Sequence, residues 1–359
     1  MKAVVIPSLF AFLITFLTTP LVIKLAKKLQ LVDDPKKRKH PAHTHQGVIP
    51  RGGGLSLYFG LTIAAFFFLP LNKLLLGILL AGALTTLIGL WDDRTDLNPY
   101  FRFLTNFIVA CLAVAGGVGI PYITNPLNGI IHLDRWQIIF VLFGSHKILV
   151  WADIFALLWI VWTMNIVGWS GGVEGQMPGF VSIAAAVLGI LSLRFSAHDI
   201  SQQGVTTLCF ITMGAFLGFL PFNFYPQKIM PGYGGKTLAG FMLATLSILS
   251  WGKVGTALLV LGVPMIDAGY TFLRRVLKGR SPVWADKGHL HHQLLEIGWS
   301  KRKIAIFYWL VSAGLGVIAL TLNSQQKLFV LILLAVLIGG LIIWLEFLKT
   351  IKTPKTLLN

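Results

Sequence analysis

The residues with the types and spacing for chemistry gather in one stretch, Val263–Trp299. Asp267 stands inside an apolar run, and Arg274, Arg275, Lys278, Arg280 and Lys287 follow it. The stretch closes on His289-Leu290-His291-His292, with Asp286 just before. An ionisable group at membrane depth is costly and usually functional; an ion pair with Arg274, about two turns on, is the plain structural alternative. Imidazoles donate to phosphate or sugar oxygens. Acid, cations and imidazoles together suit a polyanionic substrate at a bilayer surface, and a hydrated interfacial loop is the other reading of the histidines.

A second group of acids follows another apolar run, in Gly89-Leu90-Trp91-Asp92-Asp93-Arg94 with Asp96 beyond. Adjacent carboxylates repel, so one of them takes a cation or a proton. Asp92 and Asp93 read as a hydrated helix stop, or as a hard-cation site or general base. Two glycine-rich loops permit close backbone approach. Asn165–Gly179 carries Glu174 as its only acid, and the loop through Gly232, Gly234 and Gly235 carries Lys228 and Lys236 with no acid. Neither matches a P-loop, and both are readable as simple connections. A basic loop, Lys24–Gly54, ends in Gly52-Gly53-Gly54 and is either a solvated topological determinant or a phosphate-contacting loop. Its His40, His43 and His45 lack the Cys or Glu companions of a metal site. Magnesium needs one or two carboxylates plus waters and substrate phosphates, which Asp92, Asp93, Glu174, Asp267 and Asp286 are enough to supply.

The elements that must position these residues are membrane helices. The 359 residues are 55% hydrophobic and 12% charged, with mean hydropathy +0.77. Soluble domains carry about 25% charged residues, so long apolar runs at half that value mean an integral membrane protein. Approximate spans fall at 4–23, 53–72, 74–91, 103–119, 151–166, 179–193, 205–220, 237–250, 255–273, 304–322 and 327–348. The fold class is an all-α polytopic bundle of ten to eleven transmembrane helices, one domain over residues 1–359. The first run, Val4–Ile23, is too long for a cleaved signal peptide and reads as a retained span.

Formal charge is +17, but the cations cluster in the loops after odd-numbered spans. That is the positive-inside pattern rather than nucleic-acid binding. It places the N-terminus outside and the polar motifs on the cytoplasmic face, with Asp134, Asp153 and Asp199 external. Residues 121–150 read as a small external hairpin, with strands at Ile130–Leu133 and Trp136–Leu142 and turn signals at Asn128-Gly129 and Gly144-Ser145. Cys111 and Cys209 sit in apolar runs, which excludes a disulfide framework. Gly214 and Gly218 have the spacing of a close helix contact, within one subunit or across a homodimer.

With these motifs the chain resembles the polyprenyl-phosphate N-acetylhexosamine-1-phosphate transferases, a superfamily that includes the phospho-N-acetylmuramoyl-pentapeptide transferases. The resemblance runs through DDPKKRKH…PRGGG (33–54), GLWDDR (89–94), FNFYPQKI (222–229) and PMIDAGYTFLRR…GRSPVWADKGHLHHQLL (264–295). It implies a plasma-membrane enzyme that moves a sugar-1-phosphate from a UDP-sugar to polyprenyl phosphate and releases UMP, with Mg2+ or Mn2+ as cofactor. By position, Asp92 and Asp93 would lie near the lipid phosphate, Asp267 in the catalytic cleft, and His289, His291 and His292 on the donor phosphates. Asn165, Glu174, Lys236 and Arg280 complete the expected substrate contacts, and Asp92, Asp93 and Glu174 the expected metal ligands. Two family aspartates are replaced, by Gly171 and Tyr233. A binding protein on the same scaffold and an ion-coupled transporter are the alternative readings.

Overall fold

The computed structural model describes residues 2–37, 44–45, 47–125, 129–141, 145–196, 201–250, 254–281, 284 and 286–352. His40, His43, Asn128, Gly144 and Asp199 lie outside them. Apolar runs become helices because a chain in lipid must satisfy its own backbone donors and acceptors. In order these are α1 (Lys2–Lys28), α2 (Gly54–Phe68), α3 (Lys73–Thr95), α4 (Pro99–Gly116), α5 (Val150–Ser170), α6 (Gln176–Phe195) and α7 (Ser201–Asn223). There follow α8 (Gly232–Leu249), α9 (Val254–Val260), α10 (Gly262–Leu277), α11 (Leu290–Glu296), α12 (Lys301–Thr321) and α13 (Ser324–Lys352).

Among the described residues, eight helices are long and apolar enough to cross a bilayer: α1, α3 to α7, α12 and α13. The pair α9 and α10, bent by 84°, is long and apolar enough only when taken together, as one broken span or a re-entrant loop. The run 255–273 is therefore not the single straight span expected. Pro264 has no N–H to return to Val260, so the helix cannot continue through that turn, and it restarts at Gly262. The 15-residue α2 is too short for the same test, and α8, which opens on Gly232-Tyr233-Gly234-Gly235-Lys236, also falls outside it. Both pack inside the bundle, with Leu57, Leu238 and Phe241 fully buried.

The segment 121–150 holds two antiparallel strand pairs rather than one hairpin. β3 (Tyr122–Thr124) pairs with β4 (Ile130–His132), and β5 (Gln137–Val141) pairs with β6 (Ser145–Leu149). The strands read at 130–133 and 136–142 appear as Ile130–His132 and Gln137–Val141, with residue 142 outside the described residues, and each pairs outward: Leu133 N–H bonds Pro121 O, and Val150 N–H bonds Trp136 O. Gly214 and Gly218 of α7 lie against the α1 backbone at Ser8 and Phe12, so that close contact is internal to the chain.

At the other end, helix termini converge. α3 closes on Asp96 in the left-handed region, φ 53°, and Asn98 caps α4 by accepting from Tyr100 N–H at 2.9 Å. This tight reversal returns Arg102 of α4 alongside the last turn of α3. β1 (Val32–Asp33) and β2 (Ile49–Pro50) pair at the base of the basic loop. Beyond β2, Gly53 N–H bonds Met230 O at 3.0 Å. Gly89 of α3 meets Gly234 of α8 backbone to backbone, an approach that a Cβ on Gly89 would block.

Candidate active site

The acid pair sits at that convergence. Asp92 and Asp93 are buried at the end of α3. Arg51 reaches Asp93 Oδ1 at 2.9 Å and Asp92 Oδ2 at 3.5 Å, and Arg102 binds Asp92 Oδ1 at 2.5 Å and Asp96 at 2.6 Å. Two buried like charges need such partners. Tyr233 N–H donates to Asp93 Oδ1 at 3.1 Å, and its hydroxyl lies 3.1 Å from both Asn106 Oδ1 and Arg102 O. The Arg102 guanidinium lies 5.3 Å from the Tyr233 ring centre. Tyr233 thus seats Arg102 on the acids. Asp93 Oδ2 stays buried without a partner among the described residues, against Gly232.

Glu174 belongs to a different cluster. It is buried in the loop between α5 and α6, with Lys301 Nζ 2.6 Å and Gln227 Nε2 3.4 Å from Oε1. The loop is pinned by Gly175 N–H donating to Asn223 Oδ1 at 3.0 Å and by Trp309 Nε1 donating to Gly175 O at 3.2 Å. Asp92 and Asp93 are thus held by arginines and Glu174 by Lys301. Among the described residues, no group of three or more His, Cys, Asp or Glu side chains is arranged to hold a metal ion. The oxygen suited to a hard cation at the acid pair is the orphaned Asp93 Oδ2.

Asp267, fully buried in α10, organises the histidines. Its Oδ1 accepts from Leu290 N–H at 2.8 Å, and its Oδ2 lies 3.0 Å from His289 Nδ1. Arg274 is not its partner, bonding Asp286 at 3.0 Å and Glu346 at 2.6 Å instead. A carboxylate on Nδ1 fixes ring orientation and tautomer, leaving Nε2 as the working nitrogen. His289 and His291 stack nearly parallel, centroids 5.8 Å apart, and His292 lies 4.2 Å beyond His291. Burial, with His292, His289 and Lys236 nearby, pushes His291 well below the usual imidazole range. Burial and His289 push His292 down to about 4. Both rings are neutral at pH 7.

Lys236, in the first turn of α8, connects the groups. Its Cε lies beside Gly171, the His291 ring lies against Gly172, and Thr44 donates to Gly172 O at 3.0 Å. Asn165 Nδ2 donates to Val161 O within α5 at 2.7 Å. Arg280 is exposed at the rim of a separate polar cavity of about 370 Å³, shared with Arg274, Arg275 and Lys287. Burial alone would raise the Asp286 carboxyl there. The hydrogen bonds from Arg275 and Gly288 N–H and the Arg274 and Arg275 charges outweigh it and hold the group below the ordinary range. The structure thus joins Lys236 and His291 through the glycine loop and sets His289 on Asp267. Sequence reasoning missed Arg102 and Lys301, neither of which lies in a recognisable motif, and read Tyr233 only as the replacement of a family aspartate.

Residues 75–251 match the family described as glycosyl transferase family 4. The chain is 31% identical to a decaprenyl-phosphate N-acetylglucosaminephosphotransferase of Mycobacterium leprae, over 95% of this chain and 89% of the relative. The chain belongs to glycosyl transferase family 4. Other relatives are a probable undecaprenyl-phosphate N-acetylglucosaminyl 1-phosphate transferase of Bacillus subtilis, 26% identical over 91% and 88%, and an undecaprenyl-phosphate alpha-N-acetylglucosaminyl 1-phosphate transferase of Salmonella typhi, 28% identical over 95% and 92%. This family member is accordingly a multi-pass membrane transferase. Its polar groups gather at one end of the bundle, where helix termini meet, whereas a transporter's ion site lies near the bilayer midplane.

Proposed function

We propose that this protein transfers N-acetylglucosamine-1-phosphate, or a closely related N-acetylhexosamine-1-phosphate, from its UDP-sugar to undecaprenyl or another polyprenyl phosphate, the first step of a lipid-linked envelope glycan. The reaction takes place on the cytoplasmic face of the plasma membrane, with the N-terminus outside. A phosphate oxygen of the lipid attacks the sugar-bearing phosphorus of the donor. That bond forms as the phosphoanhydride to UMP breaks, giving polyprenyl-diphosphate-sugar and UMP. Phosphoryl transfer of this kind is mostly positioning and charge stabilisation.

The observation that carries this reading is the Asp267–His289 pair, with a neutral, stacked histidine row beside it and Lys236 near His291. A buried carboxylate holding an imidazole presents a nitrogen to an anionic group in fixed geometry. For the acceptor, an apolar groove of about 300 Å³ lined by Val22, Leu25, Leu29, Leu55 and Leu90 ends on Arg51, which bridges to the acid pair. A prenyl chain fits that lining, and its phosphate would meet the guanidinium. Magnesium, or manganese in its place, would be held by Asp93 Oδ2 together with substrate phosphates and water; it would neutralise charge across the diphosphate. Asp92 is held by Arg51 and Arg102 as the structural half of the pair.

The test is UMP release by purified protein supplied with undecaprenyl phosphate, Mg2+ and UDP-GlcNAc, UDP-GalNAc or UDP-MurNAc-pentapeptide in turn. Release dependent on lipid and on one donor is expected. Silence with every donor, in protein that still melts cooperatively, would overturn the reading.

A further inference from the structure

We propose that the polar cavity of about 370 Å³ between α10, α11 and α13 binds the headgroup of an anionic phospholipid, with Lys278, Arg280 and Lys287 on its phosphodiester. Five cations and three acids line the cavity, an excess of two positive charges. The acids are largely committed. Asp286 Oδ2 takes Arg274 and Arg275, each at 3.0 Å, while Glu346 takes Arg274 at 2.6 Å and the Tyr270 hydroxyl at 2.9 Å. Glu296, the third acid, is exposed to solvent. Among the described residues, the side chains of Lys278, Arg280 and Lys287 have no ion pair. A basic pocket walled by membrane helices suits a lipid phosphate.

The neighbouring surface says that the anion carries acyl chains. Phe272, Leu273, Val276 and Leu277 are exposed along one face of α10, and Leu277 is 77% exposed. Arg274, Arg275 and Lys278 occupy the other face, toward the cavity. A helix divided in this way lies in the membrane interface with its apolar side among acyl chains. α13 fixes the depth. Glu346 lies two residues before the end of its apolar run, Ser324–Leu348, with Trp344 and Phe347 exposed beside it. Exposed indole rings tend to lie at headgroup level. The apolar groove that ends on Arg51 shares no lining residue with this cavity, so the two are separate lipid sites. A headgroup here would also brace the entry to α11. Gly288 N–H donates to Asp286 Oδ1 at 2.8 Å, Gln293 Nε2 donates to Gly288 O at 3.0 Å, and His289 follows directly. The site does not depend on the transferase reading.

The experiment is native mass spectrometry of the full-length protein in detergent, with melting profiles to report folding. The probes are dioleoyl phosphatidylglycerol, dioleoyl phosphatidylcholine, glycerol-1-phosphate and farnesyl phosphate. Phosphatidylglycerol is expected to bind at least about tenfold more tightly than phosphatidylcholine. Lys278→Gln/Lys287→Gln, which changes two exposed side chains, should weaken phosphatidylglycerol about tenfold or more and leave phosphatidylcholine unchanged. Raising the ionic strength should release phosphatidylglycerol from the wild type but not phosphatidylcholine, a measurement that needs no variant to fold. Equal binding of the two lipids, salt-independent retention, or a folded double variant with wild-type affinity overturns the proposal. So does glycerol-1-phosphate binding as tightly as phosphatidylglycerol, which would assign the cavity to a soluble anion. Displacement of phosphatidylglycerol by an equal concentration of farnesyl phosphate would assign it to a prenyl phosphate and overturn the proposal as well.

Discussion

Asp267→Asn separates a carboxylate that positions a histidine from one that binds metal. In the native site it accepts from Leu290 N–H at 2.8 Å and faces His289 Nδ1 at 3.0 Å, fully buried. Asparagine can keep the first bond in weaker, neutral form. It sets an amide in place of the charged acceptor, so His289 loses its charge-assisted bond or adopts the other tautomer. Charge-assisted bonds contribute about 1.5–3 kcal/mol each, and weakening the second adds roughly 1, so the variant should lose about 2–4 kcal/mol of stability. Losing a correctly held ring should lower the rate of UMP release about 10²–10³-fold. If the two residues act as one unit, Asp267→Asn/His289→Gln should be little worse than the worse single variant, a coupling of roughly 1.5–3 kcal/mol. The Mg2+ dependence of the residual rate should stay where it was. A rate within about threefold of wild type, or a double variant whose losses multiply, would refute the positioning role. A displaced Mg2+ titration would make Asp267 a metal ligand instead.

Other outcomes follow from single contacts. Between the depressed value of His292, about 4, and its ordinary 6.5, the unfolded chain binds the extra proton, so stability falls as pH drops. From pH 7.5 to 5 this amounts to about 2 kcal/mol for His292, with His291 adding in the same direction; melting of His292→Gln should be flatter over that range, and an identical slope would count against it. Asp286, held low, contributes nothing to the change above pH 5. Lys301→Met leaves Glu174 buried and uncompensated, which should cost about 3–5 kcal/mol in a melting assay and leave the Mg2+ requirement unchanged. A rise in that requirement would show that Glu174 serves a metal after all. Gly89→Ala forces apart α3 and α8 at Gly234 and should cost about 1–3 kcal/mol as an overpacked contact; unaltered stability would mean the helices move apart freely.

What the sequence alone determined is what depends on near neighbours. Hydropathy over about 20 residues fixed where helices form, because lipid leaves the backbone no other way to satisfy itself. The isolated acid in an apolar run and the closely spaced histidines made Asp267 and His289 conspicuous one at a time. Tertiary structure decided who holds whom. The local alternative for Asp267 is an ion pair with Arg274 in its own helix, yet its partner lies 22 residues away because the chain folds back at α11. The Glu174–Lys301 bridge spans 127 residues and the Tyr233–Asp93 bond 140. Those pairings exist because glycines such as Gly89 and Gly234 let helix backbones touch, and no local pattern records which two surfaces will meet. The 84° break before α10 has a local cause in Pro264, but where α10 then packs depends on α5, α12 and α13 together. A burial cost is set by three-dimensional surroundings, so the orphaned His291 Nδ1 and Asp93 Oδ2, unpartnered among the described residues, appear only once the neighbouring elements are in place.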